Sequence, residues 1–536
     1  MSEYEKVLKQ LGSFGPLESF GPYQFRVFII VSMFETPTAW AMLLPVLINA
    51  VPDWTCDNFN RTDNSTSNRT LNTCEVGNKV CSNIRYSGEF TSIRSEWNLI
   101  CDQKDIASLI TTIQMIGVFI GACITGQIAD KFGRKKPLYL EYLLLLIFCF
   151  GSAFVQSWQA FAVLRFFIGG LVGGVLVTNF VLPLEYVVPS WRTFCGCVGF
   201  WAIGLMILAP LGYFIRDWRT LTLVTSVTGL PMLLTWSLVP ESPRWLLSKD
   251  RFVEAKEIII KMAKYNKVDI PDLTQLQLTK NVESSNKGCN TYSYHHLFRS
   301  PRTAVNSLIA MFSWFVSSSV YYGLNFNTNN LAGDRYINIF ISGLVEIPAL
   351  LFVLAVNNKF GRRRTISLLM SLAGVSCFSI LFIDLVGEKS YSITILTIVL
   401  AMVGKAGITG GWAATQVFAA ETFPTVVRNI GIAACSMSAR VGGVVAPQFV
   451  SLNSVQQSLP FSIFGGLALA CGILVCFLPE TSGKPLQDRL KVEITVDTPL
   501  TDKVFINEEN IPKILVNGED NHEISEDIPL KNGYNH

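Results

Sequence analysis

The sequence predicts an all-α membrane protein with twelve transmembrane helices in two parallel six-helix repeats. Three observations carry this. Half of the 536 residues are hydrophobic and only 15% are charged, where a soluble chain carries about 25%. Twelve apolar runs approach or exceed the roughly 20 residues that a membrane span needs. Motifs of the first half return in the second at a nearly constant offset.

The topology is counted outward from residues 126–137, GQIADKFGRKKP. This short connector joins two apolar runs, so they form a helical hairpin. Its cations, Lys131, Arg134, Lys135 and Lys136, place it on the cytoplasmic side by the positive-inside rule. The runs lie at roughly 25–50, 106–128, 137–156, 159–185, 194–214, 219–239, 304–326, 336–357, 365–385, 391–415, 430–451 and 459–478. They are called spans 1 to 12 below. The resulting parity puts the N- and C-termini inside and residues 51–105 outside.

That outer segment carries its own evidence. It holds Cys56, Cys74, Cys81 and Cys101, which permit three disulfide pairings that sequence does not separate. It also holds three N-x-Ser/Thr acceptors, Asn60, Asn64 and Asn68. Three acceptors within nine residues of a cysteine-bearing loop indicate an oxidising, extracellular location. The start, MSEYEKVLKQ, is mixed in charge and does not read as a secretory signal. The net charge of +3 is too small and too dispersed to indicate nucleic acid.

The expected domains are a cytoplasmic N-terminus (1–24), an N-terminal bundle (25–239) that includes the outer loop, a cytoplasmic linker (240–303), a C-terminal bundle (304–478) and a polar, largely disordered tail (479–536). Within the linker, residues 249–267 have apolar positions at helical spacing among cations. They read either as an amphipathic membrane-surface helix or as an ordinary solvated one.

The repeat is explicit. Gly133-Arg134-Lys135-Lys136 matches Gly361-Arg362-Arg363-Arg364 at 361 − 133 = 228. Glu185 and Arg192 match Glu421 and Arg428 at 421 − 185 = 236, and Pro240-Glu241-Ser242 matches Pro479-Glu480-Thr481 at 479 − 240 = 239. Each match follows an even-numbered span on the cytoplasmic side. Parallel six-span repeats are the plan of a transporter whose halves rock about a central site.

These motifs resemble the major facilitator superfamily over residues 20–488. The residues of the 126–137 connector resemble its signature loop, and Arg165-x3-Gly169 another of its motifs. More selective are EWNLICD (96–102), YFIRDWR (213–219) and AETFPTVVRN (420–429). With the cysteine-bearing first loop they resemble the organic cation, anion and carnitine transporters, solute carrier family 22. The resemblance implies a plasma-membrane secondary transporter of small organic ions that works by alternating access, without covalent chemistry. It also implies a gating role for Asp130, Gly133, Arg134, Glu185, Arg192, Gly361, Arg362, Glu421 and Arg428 at the cytoplasmic helix ends.

Ionisable groups inside a span cost several kcal/mol, roughly, and so face a cavity or a partner. Here they are Glu35, Arg165, Glu346, Lys405 and Arg440. They read either as a buried ion-pair network or as a polarised binding cavity. By the resemblance, cation transporters carry aspartate where Arg440 stands, Lys405 is similar to carnitine and anion members, and Glu346 to cation and carnitine members. A glutamate with Lys405 and Arg440 suits a zwitterion such as a carnitine-like betaine.

Trp314, Tyr321 and Tyr322 in span 7, Phe200 and Trp201 in span 5 and Trp412 in span 10 are candidate cavity aromatics. Such faces attract quaternary ammonium groups by roughly 0.5–2 kcal/mol each; packing is the alternative. Neither glycine cluster, 169–174 or 404–411, follows a strand, so neither is a nucleotide loop; small residues in a span permit close helix packing. No metal-ligand cluster, catalytic nucleophile or Walker lysine is present in the sequence, and no cofactor is expected. Glu35 reads as a coupling-ion site for Na⁺ or a proton, or as a packing residue. The expectation is a transporter of organic cations or carnitine-like zwitterions. Organic-anion exchange is the alternative, and a non-transporting sensor on the same scaffold is the alternative of another class. Substrate, coupling ion and oligomeric state stay open.

Overall fold

The computed structural model describes residues 3–12, 19–56, 74–76, 79–80, 84–86, 88–271, 294–298, 301–331, 333–386, 390–423 and 428–481. Each of the twelve expected spans coincides with a helical segment among them. Nine of these helices are long and apolar enough to cross a membrane. Span 12, Leu459–Val475, is a shorter apolar helix, and span 3, Lys135–Ser152, carries Lys135, Lys136 and Glu141.

Three spans depart from a single continuous helix. Span 1 is Pro22–Ser32 followed by Glu35–Ile48. Pro37 has no N–H to give to the Met33 carbonyl, and its ring crowds that group, so the break falls at Met33–Phe34. Span 5 is Pro189–Cys197 followed by Trp201–Phe214, with Val198 extended between them. Span 6 begins as the α-helix Trp218–Thr228 and tightens into the 3₁₀-helix Leu230–Ser237 past Gly229 and Pro231.

The repeat seen in the sequence is also a repeat of packing. Spans 1 and 5, 2 and 4, 3 and 4, and 3 and 6 pack together, and so do spans 7 and 11, 8 and 10, 9 and 10, and 9 and 12. Glycines allow close approach at several of these contacts. A Cβ at Gly169 or Gly173 of span 4 would strike the carbonyls of Gln114 and Val118 in span 2, so the glycines of span 4 pack helices, as expected. In the second half Gly407 of span 10 lies against Leu369 and Ala373 of span 9.

The halves meet through spans 1 and 7, 2 and 11, and 5 and 8. Hydrogen bonds cross between them: Gln448 Nε2 donates to Thr112 Oγ1 at 2.8 Å, and Asn329 Nδ2 to the Val46 carbonyl. Both lie on the face that carries the described residues of the first loop, called the loop face. There Tyr213 meets Tyr336 edge-on at 5.7 Å, and the Arg335 guanidinium lies 3.8 Å from the Phe90 ring centroid. On the opposite, connector face, span 10 approaches the segment Pro189–Cys197.

The first loop docks through the residues of its family motif. Glu96 Oε2 accepts from Trp218 Nε1 at 2.7 Å, and Glu96 pairs with Arg219. The Trp97 indole donates to the Gln156 carbonyl at 3.0 Å, and Thr91 Oγ1 donates to Asp217 Oδ1 at 2.7 Å. Two motifs about 120 residues apart in the chain are therefore the two sides of one contact. Glu96→Ala would leave the indole N–H of Trp218 without its acceptor in a buried position, at a cost of about 1–3 kcal/mol. A lower midpoint in thermal unfolding of the purified protein is the expected result.

Cys74 and Cys101 form a disulfide, one of the bridges the sequence allowed. Cys81, Asn60, Asn64 and Asn68 lie outside the described residues, as does the Cys56 side chain. Short hairpins, Trp54–Cys56 with Ile84–Tyr86 and Glu75–Val76 with Lys79–Val80, belong to the same loop.

The linker helix, Phe252–Asn266, is amphipathic, with its charged residues exposed. Its apolar face, Ala255, Ile259, Met262 and Ala263, is buried. Asn266 fixes its end: Oδ1 accepts from the Tyr23 N–H, and Nδ2 donates to the Leu11 carbonyl and to Gln24 Oε1, each at 2.9 Å. The chain before span 1 forms a helix, Glu3–Leu11, with Tyr4, Val7, Leu8 and Leu11 buried at helical spacing.

Candidate functional site

Most of the expected site residues fall into two groups: a central cluster in the second half and two charge clusters on the connector face.

The central cluster begins with an ion pair. Lys405 of span 10 and Glu346 of span 8 are 2% and 4% exposed, and Lys405 Nζ lies 2.9 Å from Glu346 Oε1. Tyr321 of span 7 donates its hydroxyl to the same oxygen at 2.9 Å. The Lys405 ammonium also sits 3.8 Å from the Tyr321 ring centroid. Three spans are thus tied at one point. Isolated charges there would be prohibitively costly, and the paired, hydrogen-bonded arrangement offsets that. Of the five groups inside the spans, Glu346 and Lys405 are paired with each other.

The aromatics sort differently from expectation. Tyr321, Tyr322 and Trp412 do cluster: Trp412 meets Tyr321 at 5.4 Å and Tyr322 at 6.2 Å, both edge-on. A face of Tyr321 is already taken by Lys405. Trp314 packs elsewhere, with Leu297, Ala310, Ala419, Phe423 and Cys435. Trp201 and Phe200 lie in the first half beside Glu35, whose Oε2 accepts the Trp201 N–H at 3.2 Å.

Arg440 of span 11 is half-buried and makes no ion pair among the described residues. Its helix approaches span 7 closely: Gly442 lies against the Phe315 backbone, and Gly443 against Ser318 and Tyr322. Arg440 is within electrostatic reach of Tyr322. Since Lys405 and Glu346 cancel, the cluster carries the single uncompensated positive charge of Arg440. Arg165, the remaining buried cation, lies in span 4, with Phe161 under its guanidinium at 4.8 Å and the Ala41 carbonyl accepting at 3.4 Å.

Sequence reasoning missed Thr409, which joins Ser319 near the cluster. Their hydroxyl oxygens are buried without a hydrogen-bond partner, on span 7 beside Val320-Tyr321 and on span 10 one turn from Lys405. The i, i+4 spacing of Thr409 from Lys405 was the available signal.

On the connector face each half builds the same device. In the first half Arg134 pairs with Asp130 at 2.6 Å and with Glu185 at 3.2 Å. Partial burial opposes its charge, but the two carboxylates outweigh this and hold the Arg134 pKa above its ordinary value. In the second half Arg362 pairs with Glu421 at 3.0 Å, and Thr481 Oγ1 donates to Glu421 at 2.8 Å. Glu185 and Arg192 do not pair with each other: Arg192 binds Glu5 of the N-terminal helix at 3.2 Å. Arg428 turns its Nε to the Phe423 carbonyl at 3.3 Å.

Glu241 and Glu480 complete the symmetry, and the sequence reading gave them no role. Glu241 Oε1 accepts the N–H groups of Arg134 (2.8 Å), Lys135 (3.2 Å) and Ser242 (3.0 Å). Glu480 Oε1 accepts those of Arg362 (2.8 Å) and Thr481 (3.1 Å). Glu241 therefore caps the helix of span 3 and Glu480 that of span 9, where exposed N–H groups and the helix dipole favour an anion. Gly133 and Gly361, at φ +102° and +90°, lie against these carboxylates, so a side chain would be strained and would collide. Among the described residues no group of three or more His, Cys, Asp or Glu is placed to hold a metal.

The comparisons follow this geometry. The family described as "Sugar (and other) transporter" matches residues 56–490. The organic cation transporter protein of Drosophila melanogaster is 34% identical over 91% of this chain and 94% of its own. The human organic cation/carnitine transporter 2 is 35% identical over 75% of this chain and 71% of its own. Among solved structures, a partially occluded inward-open conformation of the xylose transporter XylE from E. coli aligns with TM-score 0.63 at 17% identity, covering 87% of this chain and all of that one. The likeness to XylE shows the fold of a multi-pass membrane transporter. The chain belongs to the sugar (and other) transporter family of the major facilitator superfamily and, within it, to the organic cation, anion and carnitine transporters of solute carrier family 22.

Proposed function

We propose that this transporter carries small zwitterions of the carnitine type across the plasma membrane, with the carboxylate on Arg440 and the quaternary ammonium against Tyr322 and Trp412. The observation that carries the reading is the charge balance of the central cluster. Lys405 is occupied by Glu346, so Arg440 alone is left to attract an anion, beside aromatic rings that attract a cation. Ser319 and Thr409 supply unpartnered hydroxyls for the polar parts of the substrate. The name of the human relative, an organic cation/carnitine transporter, agrees with this choice.

In this reading the loop face is extracellular. The bonds Asn329–Val46 and Gln448–Thr112 close that face, and the halves part on the connector face to release substrate inward. The Arg134 and Arg362 clusters keep each half rigid at its cytoplasmic corner while the halves rock.

A plain organic cation is the second reading, supported by the name of the Drosophila relative. Uptake by oocytes expressing the protein separates the two. Labelled carnitine should accumulate well above water-injected controls and above a quaternary monocation. Accumulation of the monocation alone favours the second reading, and accumulation of an aromatic monoanion alone defeats both.

A further inference from the structure

We propose that Glu35 is a proton-binding site whose titration is coupled to transport; the coupling, though not the proton binding, rests on the transport reading above. Glu35 opens the second helix of span 1, immediately after the break at Met33–Phe34. The break of span 5 at 198–200 lies against it, and Gly199 packs on its carboxylate. Interrupted helices that meet inside a transporter are where coupling ions bind.

The hydrogen bonds describe a carboxylate held by neutral donors. Asn179 Nδ2 of span 4 donates to Oε1 at 3.1 Å, and the Trp201 N–H, at the uncapped start of helix Trp201–Phe214, donates to Oε2 at 3.2 Å. The Glu35–Ile48 helix packs against spans 4, 5, 6 and 7, and among the described residues no charged side chain pairs with Glu35 from any of them. Asn179 is neutral, Glu185 is bound to Arg134, and Arg192 is bound to Glu5. The acid is therefore poised between two states without a fixed counter-ion.

The donor set selects a proton over a metal cation. Both carboxylate oxygens already accept N–H groups, and the neighbouring Thr36 hydroxyl donates to the Phe200 carbonyl. A hard cation takes about six oxygen ligands, and these are not assembled here. A proton needs one acceptor, and Asn179 has it. Its Oδ1 is buried and without a partner. Turning the amide over exchanges Nδ2 for Oδ1, so one side chain serves the ionised acid as donor and the protonated acid as acceptor. In the step itself a solvent proton adds to a carboxylate oxygen, and no other bond is made or broken.

Protonation also removes the charge from the acceptor of the Trp201 N–H, which loosens the start of the span 5 helix. That helix touches span 8 directly. A Cβ on Gly343 would lie 2.9 Å from Met206 Cγ and 3.0 Å from the Ala202 carbonyl. Gly343 is one turn from Glu346, so a shift of span 5 reaches the central cluster through backbone contact.

Infrared difference spectra of the purified full-length protein between acid and neutral buffer test the site without any substrate. The wild type should show a protonated-carboxyl band that Glu35→Gln removes. Asn179→Leu, which lacks the donor that favours the carboxylate, should keep the band to higher pH. A band unchanged in both variants overturns the proposal. Proteoliposomes then test the coupling, with labelled-carnitine flux and lumenal pH read together. Proton movement that accompanies flux in the wild type and disappears in Glu35→Gln supports it. Flux without proton movement overturns the coupling, whereas absence of flux defeats the transport reading and leaves the infrared result to decide the site.

Discussion

Lys405→Met is expected to destabilise the protein by about 3–5 kcal/mol, because it leaves the Glu346 carboxylate buried with only the Tyr321 hydroxyl against it. Little folded protein should reach the cell surface. The double variant Lys405→Met, Glu346→Leu should recover most of that stability, since replacing both members of a buried pair by apolar groups is often close to neutral. Thermal unfolding of the detergent-purified variants reads the difference. A single variant as stable as the wild type would mean that Glu346 is neutral in the folded protein and that Lys405 carries the charge of the cluster. In that case the site would hold two uncompensated cations, Lys405 and Arg440, and anion binding would become the better reading.

Arg440→Asp is expected to have the largest effect on selectivity. A charge-assisted hydrogen bond contributes about 1.5–3 kcal/mol, so carnitine uptake should fall by roughly 10- to 100-fold at equal surface expression. The new carboxylate repels that of the substrate and adds to the fall. Uptake of a quaternary monocation should rise, because Tyr322 and Trp412 remain and the local charge has reversed. Unchanged carnitine uptake would place Arg440 outside the binding site and leave it as a packing residue between spans 7 and 11.

Much of this was legible in the sequence because membrane solvation is a coarse and strict constraint. Backbone groups must be satisfied within each span, so apolar runs mark helices, and the basic connectors mark one face. The breaks in spans 1 and 5 were less legible. Pro37 signals the first, but the second depends on the Glu35 carboxylate arriving from another helix to receive the Trp201 N–H. The same limit explains the pairing on the connector face. Arg134 reaches Glu185 and Glu5 takes Arg192. Which acid meets which base is decided by neighbours far away in the chain, and so is the capping role of Glu241 and Glu480. Trp314 illustrates the same point: one residue type on one span face gave no means of telling a packed indole from a cavity wall.

The central claim is that Arg440 recognises the carboxylate of a zwitterion. It is tested most directly by comparing carnitine with its methyl ester, which keeps the ammonium and lacks the anionic charge, in cells expressing wild type or Arg440→Gln. Wild type should prefer carnitine by roughly tenfold or more, the worth of one charge-assisted hydrogen bond, and Arg440→Gln should lose that preference. An equal preference for carnitine in both proteins would contradict the account.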